Sequence, residues 1–218
     1  AMPHLLAGEN LGLIFMREVA QGDSYTHFGV SHQPVDNRAF YSNKGIMSFA
    51  PLYLFPDVGK SDSSMFQSWP AGEKGRRPYL DPGFVEAIWS GVGLEFVSDG
   101  RGDLKKTFGP EDILAYIYAI FHSPEYRRRF EPMLKLDFPR VPPPAQVGPF
   151  RSLVPLGHDL LALHLLESPL LGKPMAAYSG PTNPAVEKAA YDSEDQAVWL
   201  DKAKTCGFTG VPEEVWNF

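Results

Sequence analysis

The sequence predicts an α+β fold in which an N-terminal, mostly antiparallel sheet with long loops is braced by a helical part. Three observations predict it. Apolar and β-branched runs alternate with turn residues through the first 55 positions; apolar residues at helical spacing dominate residues 110 to 168; and 21 prolines in 218 residues favour many short elements joined by loops. At 44% hydrophobic and 13% aromatic residues the chain can bury a substantial core. One domain is expected, with residues 1–109 forming sheet and loops, 110–168 the helical brace, and 169–218 short strands and the start of a truncated C-terminal helix.

Leu11 to Val19 and Thr26 to Val30 have strand composition, and Gly22-Asp23-Ser24 between them supplies turn chemistry, so a hairpin is predicted. A polar stretch, residues 31–45, leads into the apolar run Ile46 to Phe55, read as another strand pair. From Pro56 to Pro82 the chain is rich in Gly, Ser, Pro and Asp around Trp69, the composition of an exposed excursion. A short helix is predicted from Pro82 to about Trp89 with Asp81 as its cap, followed by a turn at Ser90-Gly91-Val92-Gly93 and a charged loop at 98–106.

Residues 110–140 carry the clearest pattern, two helices joined at a sharp corner. Ile113, Leu114, Ile117, Ile120 and Phe121 recur at the spacing of one helical face, behind a first turn of Pro110, Glu111 and Asp112 that suits the positive end of the helix dipole. Ser123-Pro124-Glu125 offers a capping hydroxyl, a proline at the first helical position and an early carboxylate, so the second helix starts there. Its predicted buried stripe is Tyr126, Phe130, Met133 and Leu134, with Pro132 leaving its end open. Val141 to Pro144 is a polyproline spacer. Gly157 to Glu167 is predicted as a third helix, so dense in leucine that most of it must be buried. Val186 to Tyr191 and Ala197 to Leu200 read as short strands about a turn, and a last helix starts near Pro212. Ala1 ahead of Met2 reads as a residue left by a tag, so the chain is expected to be a piece of something longer.

A single cysteine, Cys206, precludes an internal disulfide, and neither a leader nor an apolar run near eighteen residues is present, so a cytoplasmic setting with no membrane partner is expected. The net charge of −6 argues at first against a polyanionic partner, but its distribution is uneven. Residues 152–218 hold four Lys/Arg against nine Asp/Glu, which leaves 16 against 17 in residues 1–151. Since screening acts over roughly 8 Å at physiological salt, local clusters decide whether a phosphate backbone can dock.

Catalytic signatures are missing. His158 and His164 are six apart, not the four that put two imidazoles on one helix face for zinc, and no Cys-x-x-Cys, nucleotide-binding glycine loop or nucleophile elbow occurs. What remains is a set of basic clusters beside amides. Gln33, Arg38, Asn43 and Lys44 form one, Lys74, Arg76 and Arg77 a second, and Arg101, Lys105 and Lys106 a third. Lys and Arg neutralise phosphates, while Arg, Asn and Gln hydrogen-bond base edges in pairs, so these ten residues are the candidates for DNA contacts, in loops that would face the DNA. The triplet Arg127-Arg128-Arg129 lies opposite the Tyr126 and Phe130 stripe and reads as a solvated helix face.

Several blocks occur together in order: Asn10-Leu11-Gly12-Leu13, Ser42-Asn43-Lys44-Gly45, Pro51-Leu52-Tyr53-Leu54-Phe55-Pro56, His122-Ser123-Pro124-Glu125-Tyr126-Arg127, Leu136-Asp137-Phe138-Pro139-Arg140 and Gly210-Val211-Pro212-Glu213-Glu214-Val215-Trp216. In these the chain resembles the C-terminal specificity region of Type ISP restriction-modification enzymes. The resemblance implies sequence-specific binding of double-stranded DNA, without catalysis or cofactor in this fragment. It also implies a parent carrying nuclease, ATP-dependent translocase and adenine-methyltransferase modules, which would use S-adenosylmethionine, ATP and Mg and would place this region against the methyltransferase domain. Two other readings stand beside it. One is a module that docks enzyme domains together through the Tyr/Phe helical face; the other is a small hydrolase built on a His and carboxylate pair.

Overall fold

The computed structural model describes the chain apart from residues 1, 2, 20–24, 41–44, 57–68, 71, 73, 173 and 218. It divides into two compact units, residues 1–167 and 168–218.

In the first unit a short helix, α1 (Pro3–Leu6), precedes a three-stranded antiparallel sheet of β1 (Gly12–Met16), β2 (Phe28–Ser31) and β3 (Met47–Pro51), with β1 in the centre. The predicted hairpin is β1 with β2, in register Gly12↔Ser31 to Phe15↔Phe28; its proposed turn lies outside the described residues. Burial alternates along β1, as a strand with one face sealed requires. On that face Gly12 lies under the Phe49 ring, where a Cβ would stand 1.8 Å from a ring carbon. On the other face Leu13, Phe15 and Val30 pack against the helices, and Phe28 stacks on Phe121 with ring centroids 4.1 Å apart.

The run 46–55 does not pair with itself as predicted. Its first half is β3, which pairs with β1, and its second half, β4 (Tyr53–Leu54), pairs instead with β5 (Arg77–Pro78). With only Leu52 between the two halves there is no room for a hairpin turn, so each half takes a distant partner.

Helix α2 (Pro82–Val92) begins as predicted, with Asp81 accepting the Phe84 amide at 2.8 Å, but it runs through Ser90 and Gly91, which were read as a turn. It ends at Gly93 in the left-handed region, φ 67°, whose amide donates to Trp89. Then β6 (Glu95–Phe96) and β7 (Thr107–Phe108) form a short parallel pair around the loop 97–106.

Helix α3 (Pro110–His122) is the centre of the unit. Ala115, Tyr116, Tyr118 and Ala119 are buried besides Ile113, Leu114 and Phe121, so nearly its whole circumference is covered rather than one stripe. A fully buried side chain of this size contributes roughly 1.5–3 kcal/mol before entropy is counted. At α4 (Pro124–Leu134) Ser123 is the cap, accepting from the Tyr126 amide. Tyr126 and Leu134 are buried, while Met133, predicted inside, is 66% exposed.

Helix α5 (Val147–His164) starts ten residues before its predicted position. Pro149 is tolerated in its first turn, where amides lack helical partners anyway, and Pro155 sits on its exposed side. Phe150, Val154, Gly157 and Leu161 pack it along α3, so most of the leucines after 157 are only half-buried or exposed, contrary to expectation.

The second unit is a four-stranded antiparallel sheet in the order β8 (Ala177–Ser179), β11 (Gly207–Thr209), β10 (Ala197–Trp199), β9 (Ala190–Asp192), after a 3₁₀ turn at Pro169–Gly172. The predicted strand pair is β9 with β10, in register Val198↔Tyr191. The last helix, α6 (Glu213–Trp216), follows Pro212 and stacks Trp216 on Tyr191 at 5.8 Å.

Candidate nucleic-acid interface

Arg76 of the second predicted cluster and Arg101 of the third, separate in sequence, line one cleft of about 200 Å³ in the first unit, whereas Gln33 and Arg38 of the first do not. His32 comes to it from the loop after β2, Arg76 from the segment before β5 and Arg101 from the loop before β7. Its floor includes Leu52, Leu114 and Leu161, and Glu9, Glu111 and Glu167 stand among the cations. Asn10 fixes one wall. Its buried carboxamide donates to the carbonyls of His4 and Tyr53 and accepts the amides of Leu11 and Tyr53, so none of its capacity is left over. The Asn10 carbonyl pairs with His32 Nδ1 at 2.7 Å, and His32 Nε2 faces Glu167 at 3.2 Å.

Two of the predicted contacts point inward. Arg76, with 3% of its side chain exposed, stacks on Tyr53, donates to Asp99 at 2.7 and 3.0 Å, and donates to the Glu9 carbonyl. A guanidinium so enclosed holds loops together and is not presented to a base edge. Arg77 is half-buried in β5 opposite Leu54, with its Nε buried and unpartnered. Burial keeps the Tyr53 hydroxyl above its ordinary pKa, so it stays a neutral acceptor for the Gly100 amide at 2.9 Å.

The other candidates among the described residues are exposed. Gln33 and Arg38 lie on the loop after β2, where the Arg38 amide donates to Asp36 at 2.8 Å. Lys74 pairs with Glu9 at 2.5 Å and Arg101 with Glu111 at 3.1 Å. Lys105 and Lys106 project from a turn closed by Asp103, whose Oδ1 accepts the amides of Lys105, Lys106 and Thr107 at 2.8, 2.7 and 3.0 Å. Those three donors hold the Asp103 carboxyl far below the ordinary aspartate pKa. Asn43 and Lys44 lie outside the described residues.

A residue that sequence reasoning missed joins the third cluster. Arg151, on α5, donates from Nε to the Leu104 carbonyl at 2.6 Å and from Nη2 to the Lys105 carbonyl at 3.0 Å. Nothing in the local sequence around 151 pointed to it, because its partners are more than forty positions away.

A His and carboxylate pair does exist. His158 Nε2 meets Asp112 Oδ1 at 3.1 Å, but the other oxygen of Asp112 accepts the Gly102 and Gly109 amides at 2.6 and 2.9 Å, and the carboxylate is 2% exposed. The pair ties the start of α3 to the 97–106 loop and to α5. Among the described residues no group of three or more His, Cys, Asp or Glu is placed to hold a metal, and no helix is long and apolar enough to cross a membrane.

A family model described as the Type ISP C-terminal specificity domain matches residues 1–218. Among solved structures, the fold is similar to part of the DrdV–DNA complex determined by cryoEM, with a TM-score of 0.60 and 19% identity, over 99% of this chain and 19% of that one. It is also similar to part of a nuclease-deletion mutant of the Type ISP restriction-modification enzyme LlaGI in complex with a DNA substrate mimic, with a TM-score of 0.57 and 16% identity, over 97% of this chain and 13% of that one. The chain thus spans less than a fifth of either. A search of curated proteins finds no match.

Proposed function

The chain belongs to the Type ISP C-terminal specificity domain family, and from that premise we propose that it is the part of a restriction-modification enzyme that recognises a specific sequence in double-stranded DNA. The observation that carries this reading is the family match over all 218 residues. The surface supports it: exposed Gln33, Arg38, Arg101, Lys105 and Lys106 combine groups that pair with base edges and groups that neutralise phosphates. Asn43 and Lys44 remain candidates on chemistry alone. Arg76 serves the recognition surface by holding it in shape.

The fragment is proposed to be non-catalytic, acting beside an adenine-methyltransferase domain of the same polypeptide in the cytoplasm. S-adenosylmethionine, ATP and Mg are then needs of the parent enzyme's other modules.

Selection of the 218-residue chain against a random-sequence duplex pool tests the reading. Enrichment of one sequence, with affinity that falls as salt rises, supports it. Recovery of DNA without any enriched sequence overturns the claim of specificity.

A docking role is the second reading, and one observation favours it. Met133 and Leu136 are 66% and 73% exposed beside Phe138, an apolar patch at the end of α4. If docking were the sole function, reversing the charges of Lys105 and Lys106 would leave the full-length enzyme's gel shift on its site unchanged.

A further inference from the structure

We infer that Arg151 is a positioning residue for DNA binding: by clamping the Leu104 and Lys105 carbonyls it holds Lys105 and Lys106 as a preset phosphate-contacting pair. The inference rests on the DNA-recognition reading and adds to it a residue that the sequence did not suggest.

The turn at 103–107 is closed from inside. Asp103 gathers the amides of Lys105, Lys106 and Thr107; the Thr107 hydroxyl accepts the Asp103 amide at 3.0 Å; and the Leu104 amide bonds the Thr107 carbonyl at 3.0 Å. Leu104 adopts the left-handed region, φ 54°, a conformation that costs a branched side chain energy and persists only where its surroundings impose it. Its side chain is half-buried against the core, which anchors the turn from below.

With its amides consumed inside, the turn's remaining backbone groups are carbonyls. Two of them, on Leu104 and Lys105, accept the Arg151 guanidinium at 2.6 and 3.0 Å. This has two physical consequences. The fork fixes the backbone from which both lysines spring, so less freedom is lost when they meet a phosphate. It also places a full positive charge on carbonyl oxygens whose partial negative charge would otherwise oppose an approaching phosphate. Arg151 itself is spent on the carbonyls, and so acts through its neighbours.

The test is a set of salt titrations of duplex binding by the 218-residue chain carrying Arg151→Ala, Arg151→Lys, Lys105→Ala/Lys106→Ala, or all three alanines. Loss of two phosphate contacts lowers the slope of log affinity against log salt by about 1.8. Arg151→Ala is expected to lose a large part of that amount with the melting temperature unchanged, and Arg151→Lys to restore part of it. In the lysine-free background Arg151→Ala is expected to add no further loss. An unchanged slope in Arg151→Ala overturns the inference, as does a loss that adds fully to the lysine double variant, which would mean that Arg151 meets DNA directly. A drop in melting temperature accompanying uniform weakening, with no rescue by lysine, also overturns it. If the unaltered chain binds duplex DNA without sequence preference while the expected pattern holds, the specificity claim fails and this inference stands. Absence of any duplex binding by the unaltered chain removes both.

Discussion

The Arg76 guanidinium lies 3.7 Å from the centroid of the Tyr53 ring, with Asp99 closing its other side. Cation–π stacking and a charge-assisted fork act together on a side chain almost out of water, so the residue's role is to lock the segment before β5 onto β4 and the 97–106 loop. Arg76→Ala leaves Asp99 short of its partner and opens a void beside Tyr53. A loss of about 3 kcal/mol of stability is expected, since removing one member of a buried ion pair costs roughly that much. Urea unfolding measures it. The DNA-binding salt slope of the protein that remains folded should match the unaltered chain; a flatter slope would make Arg76 a phosphate contact after all.

Lys74 presents the opposite case. It and Glu9 are mostly exposed, at 56% and 74% of their side chains, so their pairing contributes little to stability. The carboxylate competes with any phosphate for the ammonium. Glu9→Gln is therefore expected to change the unfolding free energy by no more than about 0.5 kcal/mol and to steepen the salt dependence of duplex binding by about 0.9, one phosphate contact. An unchanged slope removes Lys74 from the interface.

How far these roles could be read in advance depended on the range of the contacts. The caps at Asp81 and Ser123, the β1–β2 hairpin and the start of α3 were legible because each is written in residues a few positions apart. The start of α5 was not, since Pro149 and Pro155 argue locally against a helix that packing on α3 sustains. Nor were the two-residue strands β4 to β7, whose pairing depends on partners more than ten positions away. The same limit governed the site. Composition singled out basic clusters but could not say that Arg76 turns inward, because Asp99, Tyr53 and the Glu9 carbonyl reach it from three other segments.

Asp112 tests how the cleft's back wall is held. Alanine there strands the Gly102 and Gly109 amides and releases His158, for an expected loss of about 3 kcal/mol. Asparagine keeps an oxygen for both amides and turns its amide group toward His158, which then must accept at Nε2. A loss of only about 1 kcal/mol is expected for Asn. Equal losses in the two variants, measured by chemical denaturation, would show that the glycine amides are not the partners that matter.

His122 sets a pH dependence. Burial first, then the neighbouring His164 and Arg127, lower its pKa from 6.5 to about 4. Its Nε2 is buried without a partner, and its ring packs on Tyr118 at 4.5 Å. Between pH 6.5 and about 4 the unfolded chain binds this proton more readily than the folded one, so stability falls as pH drops through that window and is full above it. With partial exposure discounted, the swing is on the order of 1–2 kcal/mol. His122→Phe should remove that part of the pH profile, as read from unfolding midpoints at pH 7 and 4.5. A profile unaltered by the substitution would place the titration elsewhere.

Two glycines of α5 separate packing from propensity. A Cβ on Gly157 would stand 1.9 Å from the Ala115 carbonyl oxygen and 3.0 Å from its Cα, both backbone atoms of α3 that cannot step aside alone. A Cβ on Gly148 would meet nothing within 4 Å. Alanine is favoured over glycine within a helix by about 1 kcal/mol, so propensity alone predicts that both substitutions stabilise. Contact at Gly157 must instead push α5 off α3 through the middle of the core, and Gly157→Ala is expected to cost about 3 kcal/mol, at the upper end of overpacking losses. Gly148→Ala, near the first turn, should be neutral or stabilising by a few tenths of a kcal/mol. Opposite signs for one chemical change in one helix follow only from the close approach of Gly157 to Ala115. Two equally mild effects in thermal melts would mean that the helices do not meet there.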